Sequence, residues 1–360
     1  MKVLYVVRDL NGKGGIQSFA KTSRDALQSS TKCNIKLDNW RSPLSIMQEI
    51  TLRLAPSVVS KYLYPIWFDK KVEDDLNKYD LIHFWHIKSA MSMSGSLKKP
   101  YVLTCHGSEV MRAIVPDYQY VNFLRALNKA AIITTPSQFT KNYICSHYDI
   151  SPNKVRVVNP SIDTKKFKLS TKVRSDVKDF QLGTLSRLVK RKNIINIINA
   201  LSLLDAKGLR FTYNLAGSGS YLQKRLILRK LQKVNFRWNY LGEISERVKI
   251  DQFYPILDAF ILPPLYIEGD VEGFGIVFLE ANASGVPVIA SDTGGVSDAV
   301  QYNASGVFAD PMKPQDIAEK ISTVLDSGNN WTRTTREWAQ NFTTEKLASS
   351  LHELYESLIN

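Results

Sequence analysis

The amino-acid sequence predicts an α/β protein of two domains, each a parallel sheet covered by helices on both faces. Three observations carry that expectation. The chain has 360 residues, beyond the roughly 250–300 at which a single hydrophobic core stops growing, so two domains of about 180 residues each are expected. Short β-branched runs recur along the whole length with helical patterns between them, which is how strand–helix–strand units read. A polar stretch rich in Lys and Ser, 161–178, interrupts the alternation and marks the boundary between the two series.

Lys2–Val7 is expected as the first strand: five apolar residues run from Val3 to Val7 and Arg8 follows, too short a run for a signal-peptide core. Leu81–Trp85, Tyr101–Cys105, Ile132–Thr135 and Val155–Val158 continue the first series. The second series is Phe180–Leu185, Phe211–Ala216, Phe236–Leu241, Ala259–Leu262, Val286–Ala290 and Gly306–Phe308, with helices expected at Asn193–Leu204, Tyr221–Gln232, Ile276–Ser284 and Pro314–Leu325. Glu337–Ile359 carries apolar residues at helical spacing and is expected to pack back across the boundary. The domains are therefore placed at 1–165 and 179–340, with a linker at 166–178 and a returning helix at 341–360. Parallel sheets bind ligands at the carboxyl ends of their strands, so a cleft between two such domains is the expected active site.

Apolar residues at 44% and charged residues at 22%, with no long Pro, Ser or Gln tract, exclude a largely disordered chain. The longest apolar runs, Val3–Val7 and Ala259–Tyr266, fall well short of the roughly 18 residues that span a bilayer. Three widely spaced cysteines, Cys33, Cys105 and Cys145, fit neither a zinc site nor a disulfide framework. A cytoplasmic protein is expected. Up to Ser170 there are 25 Lys and Arg against 13 Asp and Glu, and beyond it 22 against 21, so the first half holds +12 of the net +13. A basic half beside a neutral one points to an anionic surface, either acidic lipid or a phosphate-bearing substrate. Nucleic acid is disfavoured, because there is no zinc-finger spacing, no RNA-binding aromatic signature and no run of five basic residues.

Two segments carry chemistry. Glu272-Gly273-Phe274-Gly275-Ile276-Val277-Phe278-Leu279-Glu280 follows the strand-like Phe260-Ile261-Leu262 and opens a helix. Gly275 allows close approach to the backbone, and the free N–H groups of the first helical turn favour a diphosphate there. Glu272 precedes the turn, whereas Glu280 sits about one turn into the helix, where it can accept hydrogen bonds from ribose hydroxyls. The second segment, Leu185-Ser186-Arg187-Leu188-Val189-Lys190-Arg191-Lys192-Asn193, also follows a strand. Arg187 and Lys192 are placed to converge on the same diphosphate, and fixed cations aimed at a leaving nucleoside diphosphate stabilise the transition state more than the ground state. Lys190 and Arg191 read as solvated.

With those segments in place the sequence resembles the retaining nucleotide-sugar glycosyltransferases of family 4, which have the GT-B fold: two Rossmann-like α/β/α domains with parallel sheets facing across a cleft. The resemblance covers most of the chain. It runs through Gly12-Lys13-Gly14-Gly15-Ile16, Thr104-Cys105-His106-Gly107, Asn159-Pro160-Ser161-Ile162-Asp163, Arg187 with Lys192, Ala216-Gly217-Ser218-Gly219, Leu241-Gly242, and Glu272 to Glu280 followed by Gly294-Gly295. It implies that Gly14 and Gly15 face the donor diphosphate and that His106 lies near the donor sugar and the acceptor hydroxyl. It further implies that Arg187 and Lys192 clamp the diphosphate, that Glu272 lies close to the donor sugar, and that Glu280 holds the ribose. Gly217, Gly273, Phe274, Gly275 and Ile276 complete the expected donor-binding set, and His106, Glu272, Arg187 and Lys192 the catalytic one. Three departures stand out. Ser161-Ile162 replaces an Asn-Gly pair, Asn193 replaces the glycine that follows the clamp lysine, and an insertion at Tyr266–Val271 brings Glu268 and Asp270 close to Glu272. That acidic alternation looks like a metal motif, but the cationic clamp already does a metal's work, so neither metal nor cofactor is expected.

The expected activity is retaining transfer from a UDP- or GDP-sugar to a hydroxyl of a lipid-linked glycan or a cell-envelope polysaccharide precursor such as bacterial lipopolysaccharide or capsule. Front-face attack through an oxocarbenium-like ion pair is what the resemblance implies, since the family pattern supplies no obvious carboxylate dedicated to the opposite face. Leu44, Met47, Ile50, Leu54 and Val58 fall at helical spacing, with Arg41, Arg53, Lys61 and Trp67 beside them. A basic amphipathic stretch of this kind suits peripheral attachment to the inner face of the cytoplasmic membrane, or the acceptor. Competing readings are a same-fold nucleotide-sugar epimerase, a basic adaptor for lipid or nucleic acid, and a nucleotide-cofactor oxidoreductase. The last lacks its third glycine, since Gln17 occupies that position.

Overall fold

Each half of the chain builds one six-stranded parallel sheet, and the strands are the apolar runs of the sequence. In the computed structural model, residues 1–7, 15–39, 76, 78–93, 97, 99–112, 118–169, 179–328 and 331–359 are described. The first sheet contains β1 (Lys2–Val7), β2 (Asn34–Asn39), β3 (Leu81–Phe84), β4 (Tyr101–Thr104), β5 (Ile132–Thr135) and β6 (Val155–Val157) in the order β2-β1-β3-β4-β5-β6. The second contains β7 (Phe180–Leu185), β8 (Phe211–Ala216), β9 (Arg237–Gly242), β10 (Ala259–Ile261), β11 (Val288–Ala290) and β12 (Gly306–Phe308) in the order β12-β11-β10-β7-β8-β9. Central strands such as β3, β4, β10 and β11 are buried at every position, as strands covered by helices on both faces must be.

The covering helices are α1 (Gly15–Ser30), α2 (Ile87–Met93), α3 (Ser108–Met111), α4 (Tyr118–Lys129) and α5 (Gln138–Tyr148) in the first half. In the second they are α6 (Ile194–Ala206), α7 (Tyr221–Leu231), α8 (Ile276–Ala283), α9 (Val296–Ala299), α10 (Pro314–Asp326) and α11 (Trp331–Ala339), and α12 (Thr344–Ile359) ends the chain. Strand β2 is not among the strands expected from the sequence, and α1–α5 and α9 are not among the expected helices. Strand β2 is an edge strand, Asn-Ile-Lys-Leu-Asp-Asn, that buries Ile35 and half-buries Leu37, so it lacks the β-branched run that marks its neighbours.

The chain divides into one compact unit of Met1–Ser161 with Thr344–Asn360 and a second of Ile162–Thr343. The division falls ahead of the expected boundary at 165 because Ile162 already belongs to the second unit: its N–H donates to the Phe342 carbonyl at 2.9 Å, and it bridges Thr343. Of the expected linker, 166–169 belongs to the second unit, where Phe167 is buried in the core. Residues 170–178 lie outside the described ones. The helix expected across 337–359 is broken by a 3₁₀ turn at Gln340–Phe342, just ahead of the unit boundary.

Helix α12 is tied into the first unit by a buried polar chain as well as by apolar packing. Leu347, Ala348, Leu351, Leu354 and Tyr355 join the core with Val3, Tyr5, Phe19 and Leu27. Tyr355 Oη lies 2.8 Å from Tyr5 Oη and 2.6 Å from His83 Nδ1, while His83 Nε2 lies 2.6 Å from Thr104 Oγ1. Burial, with His106 nearby, keeps His83 well below the ordinary imidazole value. It is therefore neutral, with one donor and one acceptor nitrogen for two hydroxyls.

Candidate active site

The second sheet runs from β7 through β8 to β9 in one direction and then returns to place β10 on the other side of β7. Loops that leave neighbouring strands in opposite directions open a crevice at the strands' carboxyl ends, where open parallel sheets bind their ligands. The loops flanking this switch point follow β7 and β10, and they carry the two segments that stood out in the sequence. They are stitched together by main chain, with the Leu265 N–H donating to the Arg191 carbonyl at 2.8 Å.

Side chains complete the junction. Lys192 Nζ and Arg191 Nη1 both donate to Glu272 Oε2, and Arg191 Nε donates to Asp270 Oδ1 at 3.2 Å. The side chains of Arg191, Lys192 and Glu272 are only 5%, 9% and 12% exposed. Burial by itself pushes the Glu272 carboxyl up, but the charge of Lys192 and then that of Arg191 outweigh it and hold the group down at about 2. Burial lowers Lys192 below the ordinary lysine value; Glu272 opposes the shift, while Arg191 and Arg187 add to it. Arg187 itself is exposed and makes no ion pair among the described residues. Like the exposed Lys190, it is a cation of this loop left open to a ligand.

Arg191 corrects the sequence reading, which left it solvated. The loop 266–271 brings Asp270 to it, and Asp270 and Glu272 share its buried guanidinium. Glu268 is exposed, and among the described residues no three His, Cys, Asp or Glu side chains are grouped to hold a metal ion. Asn193 fills its glycine-like role by adopting the left-handed conformation at φ 60°, while its Nδ2 donates to the Pro263 and Pro311 carbonyls at 3.1 and 2.7 Å.

Two glycines shape the walls. Gly217, after β8, has φ 130°, and a Cβ there would lie 1.8 Å from the Ser186 carbonyl oxygen, so the loops after β7 and β8 touch backbone to backbone. Gly275, at φ 91° and ψ 64°, starts α8 with no side-chain cap, which leaves the first N–H groups of the helix to a ligand. Gly273 and Ile276 flank it half-buried, whereas the Phe274 ring packs inward against Phe342 with ring centroids 5.8 Å apart. The Gly295 N–H donates to the Glu272 carbonyl at 2.8 Å, holding that backbone in place.

Glu280, one turn into α8, is buried. Its Oε1 accepts from Lys249 Nζ at 2.5 Å and its Oε2 from Tyr254 Oη at 2.7 Å. Burial raises the carboxyl above its ordinary value against the pull of Lys249 and Tyr254. Burial works against the Lys249 cation too, but Glu280 and Glu246 outweigh it and raise that group. A carboxylate has about four acceptor positions, so two remain for hydroxyl donors. Lys249 and Tyr254 were not anticipated from sequence, and no spacing rule links them to Glu280.

In the first unit His106 follows β4 in the loop capped by Gly107. Its main-chain N–H donates to Glu109 Oε1, and Nε2 lies 2.9 Å from the Trp85 carbonyl. A carbonyl only accepts, so Nε2 carries the proton and Nδ1 is the acceptor nitrogen. Burial lowers His106 from its ordinary value, with Glu109 and the Trp85 carbonyl opposing, so the ring is neutral near pH 7. Gly15 is the first residue of α1. Gly14, Arg41, Arg53, Lys61 and Trp67 lie outside the described residues.

Two family models match the chain: glycosyl transferases group 1 over residues 165–342 and glycosyltransferase family 4 over residues 45–166. The chain belongs to the GT-B glycosyltransferases. Among curated relatives, a GDP-mannose-dependent alpha-(1-6)-phosphatidylinositol monomannoside mannosyltransferase of Mycobacterium tuberculosis is 29% identical over 270 residues, covering 68% of this chain and 68% of that protein. An amylovoran biosynthesis glycosyltransferase of Erwinia amylovora is 24% identical over 259 residues, covering 68% of this chain and 60% of that one. Anabaena HepE, solved in complex with UDP and glucose, shares the fold with a TM-score of 0.76 at 19% identity, covering 99% of this chain and 100% of that one.

In this glycosyltransferase the structure brings together Lys192 and Glu272 and adds Arg191 and Asp270 to them. Arg187, Gly217 and the start of α8 belong to loops at the same carboxyl edge of the second sheet, and His106 belongs to the first unit.

Proposed function

We propose that this glycosyltransferase works with retention of configuration and without a metal, moving a sugar from a UDP- or GDP-sugar to a hydroxyl of a lipid-linked glycan of the cell envelope at the cytoplasmic face of the membrane. The observation that carries the reading is the switch point of the second sheet, where Arg187, Lys192 and the uncapped start of α8 offer fixed positive charge beside an ionised Glu272. When the bond between the sugar and the diphosphate breaks, the electron pair goes to the phosphate oxygen, and cations already in place lower that barrier without reorganisation. Glu272, held down at about 2, is an anion at working pH; it steadies the cationic sugar and cannot donate a proton. The departing phosphate takes the acceptor's proton, and His106 accepts a hydrogen bond from the acceptor at Nδ1. Glu280 keeps two acceptor positions for the ribose.

The relatives support the donor and acceptor classes: a GDP-mannose-dependent enzyme acting on a phosphatidylinositol mannoside, and a structural neighbour holding UDP with glucose. A thermal-shift screen of UDP- and GDP-sugars selects the donor. Transfer to a lipid-linked acceptor in EDTA, followed by the anomeric proton coupling of the product, then tests the mechanism. Retained configuration in EDTA is expected. An inverted product, a metal requirement, or an epimerised donor with no acceptor product would overturn the reading.

A further inference from the structure

The second half of the chain is nearly neutral in sum, yet one stretch of it is strongly one-sided. Between Asp205 and Glu243 lie 37 residues with eight Lys or Arg and no Asp or Glu. They form β8, α7 and β9, the last of which is an edge strand. Ile227 and Leu231 anchor α7 to the core, which turns its other faces to solvent. There Tyr221, Leu222 and Leu226 are 72%, 74% and 54% exposed, and Leu241 on β9 is 44% exposed. Leu222 and Leu226 stand one turn apart on one face, with Arg225 and Arg229 beside them.

The cations here are largely free of acidic partners. Arg237 pairs with Asp179, but among the described residues Lys224, Arg225, Arg229, Lys230 and Lys233 make no ion pair. Lys224 instead lies 5.1 Å over the Tyr240 ring. A shallow hollow of about 350 Å³ is lined by Tyr221, Lys224, Arg225, Leu228, Arg229 and Gln232, with room for an anionic headgroup among its cations.

We propose that this face of the second unit docks on an anionic lipid bilayer. Charge alone would suit a polyanion in water, but a polyanion leaves Leu222 and Leu226 solvated. A bilayer takes both, cations at the headgroups and apolar side chains a few ångströms below them. None of these residues belongs to the switch-point cluster, so membrane docking and sugar transfer can fail independently.

The test is cosedimentation of the full chain with vesicles of phosphatidylcholine alone and of phosphatidylcholine with phosphatidylglycerol. Two variants are compared with wild type: Arg225→Gln/Arg229→Gln/Lys230→Gln, and Leu222→Ser/Leu226→Ser. Wild type should bind only the phosphatidylglycerol vesicles. The triple variant should bind about a hundredfold more weakly, at about fivefold per cation near an anionic surface. The serine variant should lose about tenfold with its charge intact. Affinity unchanged in either variant, equal binding to neutral vesicles, no binding by wild type, or preferential patch-dependent capture of an oligonucleotide would overturn the proposal.

Discussion

Arg191→Met removes the guanidinium that Asp270 and Glu272 share while keeping much of the side-chain volume. What remains is Glu272 at a 12% exposed position with Lys192 as its one bonded cation among the described residues. Breaking a buried pair by deleting one partner costs about 3–5 kcal/mol, because the surviving charge is stranded. Lys192 still neutralises Glu272, so the lower end, about 3 kcal/mol, is expected. At about 2–4 °C per kcal/mol for a domain of this size, the second unit should melt about 6–12 °C lower. Glu272 should also rise above its value of about 2, since one of the two charges holding it down is gone. Thermal denaturation of wild type, Arg191→Met, Asp270→Asn and the double variant supplies the cycle. Asp270 is 38% exposed, so its coupling to Arg191 should stay under about 1 kcal/mol and most of the loss should trace to Glu272. A variant that melts within about 1 °C of wild type and turns over donor at the same rate would refute the reasoning, for Arg191 would then behave as a solvated charge.

Gly217→Ala forces a side chain into φ 130° and against the Ser186 carbonyl; urea titration should show a loss of at least about 2 kcal/mol. Glu272 lies below its ordinary value when folded, so its contribution to stability is present above about pH 4.5 and is lost as pH falls toward 2. Glu272→Gln should flatten that acid limb, and a wild-type limb already flat over the same window would contradict the assignment. Lys192 is depressed by burial, so UDP or GDP affinity measured against pH should begin to fall at a pH lower than an ordinary lysine would give. Tyr254→Phe deprives buried Glu280 of a 2.7 Å hydrogen bond; a loss of about 1–3 kcal/mol is expected in thermal melting.

The sheets were legible where burial is two-sided, because strands such as Ala259–Ile261 and Val288–Ala290 must be apolar at every position. Asn34–Asn39 was not, since an edge strand needs only a partial apolar face. Lys192 and Glu272 were legible as a strand-to-helix cation and a glycine-flanked carboxylate. Arg191 was not, because Lys190-Arg191 looks like a solvated basic pair beside the clamp lysine and the acid that completes its burial, Asp270, lies 79 residues away. Lys249 and Tyr254 reach Glu280 by the same kind of long-range packing. Asn193 shows the reverse, a residue change that leaves the backbone conformation where a glycine would put it. The basic face around α7 was hidden by counting, since near-equal totals of 22 and 21 over half the chain conceal an acid-free stretch of 37 residues.

The central claim is that Arg187 and Lys192, at the switch point of the second sheet, grip a nucleoside diphosphate. Titration calorimetry of UDP and GDP into wild type, Arg187→Ala and Lys192→Ala, all in EDTA, tests it most directly. One saturable site that survives EDTA and weakens about ten- to a hundredfold in each variant is predicted. Affinity indifferent to both substitutions, or abolished by EDTA, would contradict it.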